Sequence, residues 1–124
     1  MPLRIFISYT QKDKSLTREK LLDLKKQLLS VSDVETYIDL FDNNNLANPQ
    51  GEVIEQLMRS NIVWIINSNE ITQSEWAMKE IDLARQKQKT THLISIDLLT
   101  RMLNAPIIEL IDLVVQYTQD NLDP

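Results

Sequence analysis

Apolar residues in this chain fall into two alternating patterns, short uninterrupted runs and longer stretches with helical spacing. The uninterrupted runs are rich in β-forming residues and predict buried strands over residues 3–9, 34–38, 61–67 and 93–96. The run Ile62-Val63-Trp64-Ile65-Ile66 shows no alternation of apolar and polar residues. Such a segment is typical of a central parallel strand that is covered on both faces.

Helical spacing of apolar residues predicts helices between these strands. The first is expected over residues 15–30, where leucines recur every three or four positions. The second begins at Asn48, a favourable N-cap, followed by Pro49 at the first helical position. The third is expected to begin with the capping-box spacing of residues 72–75 and to end near Lys87.

Two regions are less regular. Residues 39–48 contain consecutive asparagines and predict a loop. Residues 98–113 have helical spacing interrupted by Pro106, and the alternation over residues 113–117 favours a fifth strand at the edge of the sheet. The alternation of strands and helices predicts an α/β fold of three layers, in which helices cover a four- to five-stranded parallel sheet.

Composition restricts the class of protein. A chain of 124 residues that is 43% hydrophobic and 25% charged is expected to form one soluble domain over residues 1–124. The absence of cysteine and the single histidine, His92, exclude disulfide scaffolds, thiolate metal sites and multi-histidine metal centres. The net charge of −5 argues against nucleic-acid binding. No apolar run is long enough to span a membrane, and residues 1–4 lead directly into a strand, so we expect a cytoplasmic protein without a signal peptide.

A ligand site is expected beyond the carboxyl ends of the parallel strands, formed by residues 8–11, 39–48 and 67–80. A phospho-receiver domain would need carboxylates at these ends, where this chain instead has Ser8-Tyr9 and Asn67-Ser68. Gly51 is the one glycine of the chain. Since phosphate-cradling loops need several glycines, P-loop and dinucleotide-binding motifs are absent.

Glu80 occupies an unusual position on the third predicted helix. With Trp76 at 0° and about 100° per residue, Glu80 falls at about 40°, inside an apolar arc that extends from Leu83 through Ala84 to Ile81. A carboxylate there either emerges at the rim and pairs with a lysine, or lies at the mouth of a cleft, where burial would raise its pKa. Trp76 beside it is either part of the core or the wall of a ligand pocket.

Three segments of the chain form an ordered set of motifs. The first is Arg-Ile-Phe-Ile-Ser-Tyr at residues 4–9, and the second is Tyr37-Ile38-Asp39. The third is residues 60–68, followed by Trp76 and Glu80. In this order they resemble the opening box, the second strand, and the third strand with its following helix in Toll/interleukin-1 receptor (TIR) domains, especially those of bacteria and plants. The resemblance covers about residues 4–97 and implies a flavodoxin-like TIR topology.

The resemblance implies two activities, NAD cleavage and assembly with other TIR domains. Enzymes of the family cleave the bond between nicotinamide and ribose in NAD, as glycohydrolases or cyclases that act in signalling or defence. The glutamate of the Trp-x-x-x-Glu pattern corresponds to Glu80, which would act at the ribose of NAD, the substrate, without a cofactor or metal. The residues implied to line the pocket around it are Ser8, Tyr9, Thr10, Gln11, Asp39 and Trp76.

The chain departs from the family at two places. Residues 43–48 replace the receptor-type loop that carries an Arg and a Pro-Gly pair, and Thr10-Gln11 stands where some enzymes have arginine. Two alternatives to NAD cleavage therefore stay open. One is a non-enzymatic signalling module that associates with itself or another TIR domain through residues 39–48, and the other is transfer of a different nucleoside. The short C-terminal region is also expected to lack the last helix and leave a sheet edge that favours self-association.

Overall fold

The computed structural model describes residues 2–12, 14–68 and 70–119. Parallel strands alternate with helices along these residues, as predicted. In chain order the elements are β1 (Leu3–Ser8), α1 (Arg18–Leu29), β2 (Val34–Tyr37), α2 (Asp39–Asp42), α3 (Pro49–Arg59), β3 (Ile62–Asn67), a 3₁₀ turn (Ile71–Gln73), α4 (Glu75–Gln86), β4 (Thr90–Ser95), α5 (Ile96–Asn104) and α6 (Ile107–Gln116). No helix in the described ranges is both long enough and apolar enough to cross a membrane.

The strands form a four-stranded, all-parallel sheet in the order β2-β1-β3-β4. The predicted fold class and the central place of β3 are confirmed, since β3 pairs with β1 on one side and β4 on the other. Strand order reverses between β1 and β3, because β1 leads to β2 and the chain then returns across β1 to form β3. This reversal is where ligands of open α/β sheets bind.

Side chains of β1 point alternately to the two faces of the sheet and so join two separate cores. Ile5 and Ile7 lie in the larger core, with buried residues of α1, α5 and α6. Phe6 lies in the smaller core, with buried residues of α3 and α4. Its ring stacks on that of Tyr37, with centroids 5.5 Å apart.

Side-chain caps explain where two of the helices begin. Asn48 is the N-cap of α3, where its side chain accepts a hydrogen bond from the Gly51 amide, and Pro49 follows as predicted. The predicted capping box at residues 72–75 is wrong. Residues 71–73 form the 3₁₀ turn, and Ser74 is the N-cap of α4 because its hydroxyl accepts from the Ala77 amide at 3.1 Å.

The fifth strand predicted over residues 113–117 is wrong, and so is the expected absence of a last helix. Residues 113–116 belong to α6, which begins immediately after Pro106, and Tyr117 is its C-cap. Leu110, Leu113 and Val114 are buried, whereas Ile111 and Val115 are exposed. A strand would bury Ile111, Leu113 and Val115 on one face. The buried residues instead recur at helical spacing, so the alternation over this segment is not a sign of a strand.

The predicted loop over residues 39–48 begins with the helical turn α2. The Asp42 carboxylate accepts a hydrogen bond from the Ile38 amide at 2.8 Å and pairs with the Lys25 ammonium of α1 at 2.8 Å. These contacts close the turn against the body of the domain. Residues 43–48 contain neither helix nor strand, in agreement with the prediction for that part.

Candidate functional site

A cleft of about 170 Å³ opens at the carboxyl ends of β1 and β2, beside the start of α4. Most of the residues that the sequence predicted around a ligand meet here, although they come from three separate parts of the chain. The residues lining the cleft are Ile7, Tyr9, Thr10, Gln11, Asp39, Ser74, Trp76 and Glu80. The fold therefore brings six of the seven predicted site residues to one place.

Glu80 lies on the face of α4 that packs against the sheet. Its side chain is only 7% exposed, and Ala77, Ile81 and Ala84 are buried on the same face. Of the two positions that the sequence left open, the structure shows the buried one at a cleft rather than a rim position paired with a lysine. A hydrogen bond of 2.9 Å from the Ser8 hydroxyl to Oε1 fixes the orientation of the carboxyl group.

Burial raises the pKa of Glu80 to about 7, above its ordinary value near 4.5, because the apolar surroundings disfavour the charged form. The hydrogen bond from Ser8 lowers the pKa and opposes part of this effect, while the nearby negative charge of Asp39 raises it further. Glu80 is therefore poised to change its charge near neutral pH. Carboxyl groups with such a displaced pKa, beside a cleft, are candidates for catalysis.

Ser8 is the predicted site residue that does not line the cleft. It is fully buried at the end of β1, on the same face of the sheet as Phe6, and its hydroxyl donates to Glu80 across 72 positions of sequence. A hydroxyl without a partner in this place would lose its hydrogen bonds to water without replacement. Ser8 thus supports the carboxyl group from the sheet side and leaves the opposite side of Glu80 to the cleft.

Tyr9 connects β1 to the helical turn α2. Its hydroxyl accepts a hydrogen bond from the Leu40 amide at 3.1 Å. Burial raises the pKa of Tyr9 to about 12, an effect that the bond from Leu40 opposes and the charge of Asp39 reinforces. This pKa keeps the phenol of Tyr9 neutral at physiological pH. Its hydrogen bond with Leu40 holds α2, which begins with Asp39, beside the cleft.

Asp39 brings a second carboxylate to the cleft, from the first residue of α2. Its Oδ1 accepts a hydrogen bond from the Asn43 side chain at 2.8 Å, and Asn43 also donates to the Pro49 carbonyl at 2.8 Å. Asn43 therefore links the end of α2 to the start of α3. This bridge was not predicted, because a run of asparagines in the sequence does not show which of them turns inward.

Trp76 is half-buried and forms a wall shared by the cleft and two smaller cavities. One, of about 140 Å³, lies towards α3 and includes Asp39 and Asn43. The other, of about 100 Å³, runs between α3 and α4 and has Glu80 among its lining residues. Trp76 therefore borders all three spaces, and it lines the main cleft together with the two acidic residues Asp39 and Glu80.

Ser74 is a cleft residue that the sequence pattern did not single out. Its hydroxyl caps α4, so its place in the cleft wall follows from the same geometry that starts the helix. The nearby Lys12 ammonium donates to the Gln73 carbonyl at 2.9 Å and ties the segment after β1 to the turn before α4. The sequence contains a signal for this N-cap, because Ser74 followed by Glu75 is as suitable a helix start as Thr72.

A larger cavity, of about 240 Å³, lies at a different place on the sheet, around the early residues of β1 and the end of α3. Arg4, Glu35, Gln56 and Arg59 are among its lining residues. The Arg4 guanidinium already pairs with the Glu35 carboxylate at 3.1 Å, and both side chains are well exposed. Because its charges are compensated and solvated, this cavity is a weaker candidate than the smaller cleft around Glu80.

The sequence model of one protein family, described as TIR domain, matches residues 5–123. The matched range includes every residue that lines the cleft. The resemblance found in the sequence is thus confirmed by an independent comparison that spans nearly the whole chain. No curated protein gives a significant match to the chain.

Proposed function

Because this chain belongs to the TIR domain family, we propose that it cleaves the bond between nicotinamide and ribose in NAD, within a signalling or defence system. Family membership supports a role in signalling or NAD cleavage in general terms. The observation that carries the finer proposal is the carboxyl group of Glu80, buried among apolar residues at the edge of a cleft and held by Ser8.

The chemistry of NAD suits a site with one such carboxylate. Most glycosidases use two carboxyl groups, and one of these protonates the leaving group. Nicotinamide is already cationic in NAD and takes the electron pair of the broken C–N bond, so it departs neutral without a general acid. The positive charge that develops on the ribose needs a nearby anion, and Glu80 would stabilise that charge or form a temporary ester with the ribose.

Completion of the reaction requires a nucleophile at the same ribose carbon. Water supplies an oxygen to that carbon and releases a proton to solvent, which gives ADP-ribose. Attack by a nitrogen of the adenine ring of the same molecule gives a cyclic product instead. Trp76 would form the wall beside the nicotinamide ring, and Asp39 would add negative charge on the side of the ribose.

The protonation state of Glu80 sets a direction for the pH dependence. With a pKa of about 7, the group is largely neutral in slightly acidic solution and becomes the required carboxylate as the pH rises. A bound cation favours the charged form of a neighbouring carboxyl group. The proposal therefore includes an increase of kcat/KM with pH through the region around 7, since kcat/KM follows ionisation in the free enzyme.

The test is nicotinamide release from NAD at high protein concentration with a crowding agent, and chromatography identifies the products. Glu80→Gln removes the charge but keeps the size and is expected to lower the rate by at least about 100-fold. Glu75→Gln changes an exposed carboxylate in the first turn of the same helix and is expected to retain full activity. Full activity of the Glu80→Gln variant would refute the mechanism, and a different nucleoside product would indicate transfer to another acceptor.

A second candidate function is that of a non-enzymatic interaction module. TIR domains associate with themselves or with other TIR domains, and Leu46 in the segment after α2 is 97% exposed. In this alternative the partner would cover the Leu46 side chain. Lack of NAD cleavage in assembled protein, together with weaker association of a Leu46→Asp variant, would favour this function. A protein that stays monomeric, alone and with a candidate TIR partner, would count against it.

A further inference from the structure

Asn43, the residue after α2, uses both ends of its side chain in hydrogen bonds. Its Nδ2 donates to Oδ1 of Asp39 and to the Pro49 carbonyl, each at 2.8 Å. Its Oδ1 accepts a hydrogen bond from the backbone amide of Asn45 at 3.1 Å. A side-chain amide has two N–H groups and one carbonyl oxygen, so these three partners determine its orientation.

Two further asparagines continue these contacts to the start of α3. Oδ1 of Asn45 accepts a hydrogen bond from the backbone amide of Asn48 at 2.9 Å, and Oδ1 of Asn48 accepts one from Gly51 at 3.1 Å. Bonds from asparagine side chains to nearby backbone amides are a common way in which turns are closed. Residues 43–48 therefore form a hydrogen-bonded connection from Asp39 to α3, although they contain neither helix nor strand.

The backbone of α2 has contacts of its own that do not involve the side chain of Asn43. The Tyr9 hydroxyl accepts a hydrogen bond from the Leu40 amide at 3.1 Å, and the Asp42 carboxylate pairs with a lysine of α1 at 2.8 Å. These contacts remain when the side chain of Asn43 is shortened. What Asn43 adds is the hydrogen bond to Oδ1, which restricts the rotation of the Asp39 side chain.

We propose that Asn43 is a positioning residue, which fixes the Asp39 carboxylate at the border of the cleft and so keeps its negative charge near Glu80. Asp39 lines both the cleft and the cavity of about 140 Å³ that also contains Asn43. Without the hydrogen bond from Asn43, the carboxylate would be free to turn towards solvent. The effect on catalysis rests on the proposed NAD cleavage, whereas the position of the charge can be measured without a substrate.

The pKa of Glu80 reports the position of this charge. The negative charge of Asp39 raises that pKa, and the effect weakens with distance. In Asn43→Ala the Glu80 carboxyl group is therefore expected to titrate at a lower pH than in the wild-type chain, as measured by carbon NMR. Asn44→Ala changes an exposed neighbouring asparagine and is expected to leave the titration unchanged. An unchanged midpoint in Asn43→Ala, or an equal decrease in both variants, would overturn the proposal.

A double-mutant cycle tests whether Asn43 acts through Asp39. Asp39→Asn removes the charge and is itself expected to lower the pKa of Glu80. Asn43→Ala should then cause no further decrease in the Asp39→Asn background, because no charge is left to position. A further decrease as large as that in the wild-type background would contradict the proposal. Circular dichroism checks that each variant is folded, and Asn43→Leu, which has a similar size but no polar group, replaces Asn43→Ala if that variant is unfolded.

Nicotinamide release from NAD at pH 8, where Glu80 is largely ionised, tests the consequence for catalysis. The charge of Asp39 beside the ribose would stabilise the positive charge of the transition state. For Asn43→Ala we expect kcat to fall at least about tenfold with little change in KM, while Asn44→Ala keeps both values. An unchanged kcat in Asn43→Ala would refute this role. An inactive wild-type chain would instead refute the proposed function, and the titration would still decide whether Asn43 positions Asp39.

Discussion

The two faces of β1 show how one strand can serve stability on one side and chemistry on the other. Ile5 and Ile7 enter a core of apolar side chains from α1, α5 and α6. On the opposite face Phe6 is followed by Ser8, whose hydroxyl binds the carboxyl group of Glu80. Both faces are equally buried at β1, so the difference lies in the chemistry of what is buried. The α4 side contains an ionisable group whose charged form is disfavoured by burial.

Burial of Glu80 on the α4 side has a cost in folding free energy. A pKa raised from 4.5 to about 7 means that ionised Glu80 costs about 3 kcal/mol of folding free energy. The folded chain binds the proton more tightly than the unfolded chain does. Stability from this group is therefore fully present at low pH and is lost as the pH rises towards 7. The larger core contributes stability without such a dependence.

The largest expected effect is a loss of stability on the α1 side. Leu24→Ala removes a fully buried leucine and leaves a cavity in the larger core, which is expected to lower the free energy of unfolding by about 3 kcal/mol. Urea denaturation at neutral pH measures this change. The half-buried neighbour Leu22 gives the control, and a cost for Leu22→Ala as large as that for Leu24→Ala would contradict the described packing of α1.

On the α4 side we expect a substitution to stabilise the protein. Glu80→Gln keeps an acceptor for Ser8 but removes the charge, so the free energy of unfolding at pH 8 is expected to rise by about 2 kcal/mol. Near pH 4.5 the wild-type carboxyl is protonated in the folded chain, and the two proteins should be nearly equal. Urea denaturation at both pH values tests this, and a Glu80→Gln variant that is less stable at pH 8 would contradict it.

The smallest expected effect concerns the bond between Ser8 and Glu80. Ser8→Ala removes a hydrogen bond that lowers the pKa of Glu80, so that pKa is expected to rise. The pH at which kcat/KM for the proposed NAD cleavage increases should then be higher. The accompanying change in stability is about 1 kcal/mol. Ser60→Ala is a matched control, since it removes a buried hydroxyl that donates to the Gln56 carbonyl at 2.7 Å, away from Glu80. An equal increase of this pH in the Ser60→Ala variant would show that Ser8 has no specific effect on the pKa of Glu80.

The sequence predicted the sheet well because buried strands and helix faces have simple periodicities. The uninterrupted apolar run around Trp64 indicated a central strand, and Trp64 is fully buried there. Helical periodicity likewise placed Glu80 inside an apolar arc, and its side chain is buried on that face of α4. Both predictions concern whether a side chain faces the interior of the domain. The spacing of apolar residues along the chain predicts this directly.

Predictions that depended on local detail were less successful. The capping-box spacing from Thr72 to Glu75 predicts a helix start at Thr72, whereas the N-cap of α4 is Ser74, two residues later. Residues 113–117 are rich in apolar side chains, and so short a segment fits the two-residue period of a strand as well as the 3.6-residue period of a helix. The alternation therefore predicted a strand where the structure has α6. The pairing of Ser8 with Glu80 depends on how α4 packs on the sheet, a long-range contact that no local pattern in the sequence contains.

A carbon NMR titration of the side-chain carboxyl groups tests most directly whether Glu80 is the specialised group of this domain, with its signal assigned by its absence from Glu80→Gln. We predict that Glu80 titrates near pH 7, above the ordinary glutamate value of about 4.5, because burial disfavours its charge. A midpoint near 4.5 would contradict this prediction. It would mean that the carboxyl group is solvated and that the α4 face of the sheet holds no specialised group.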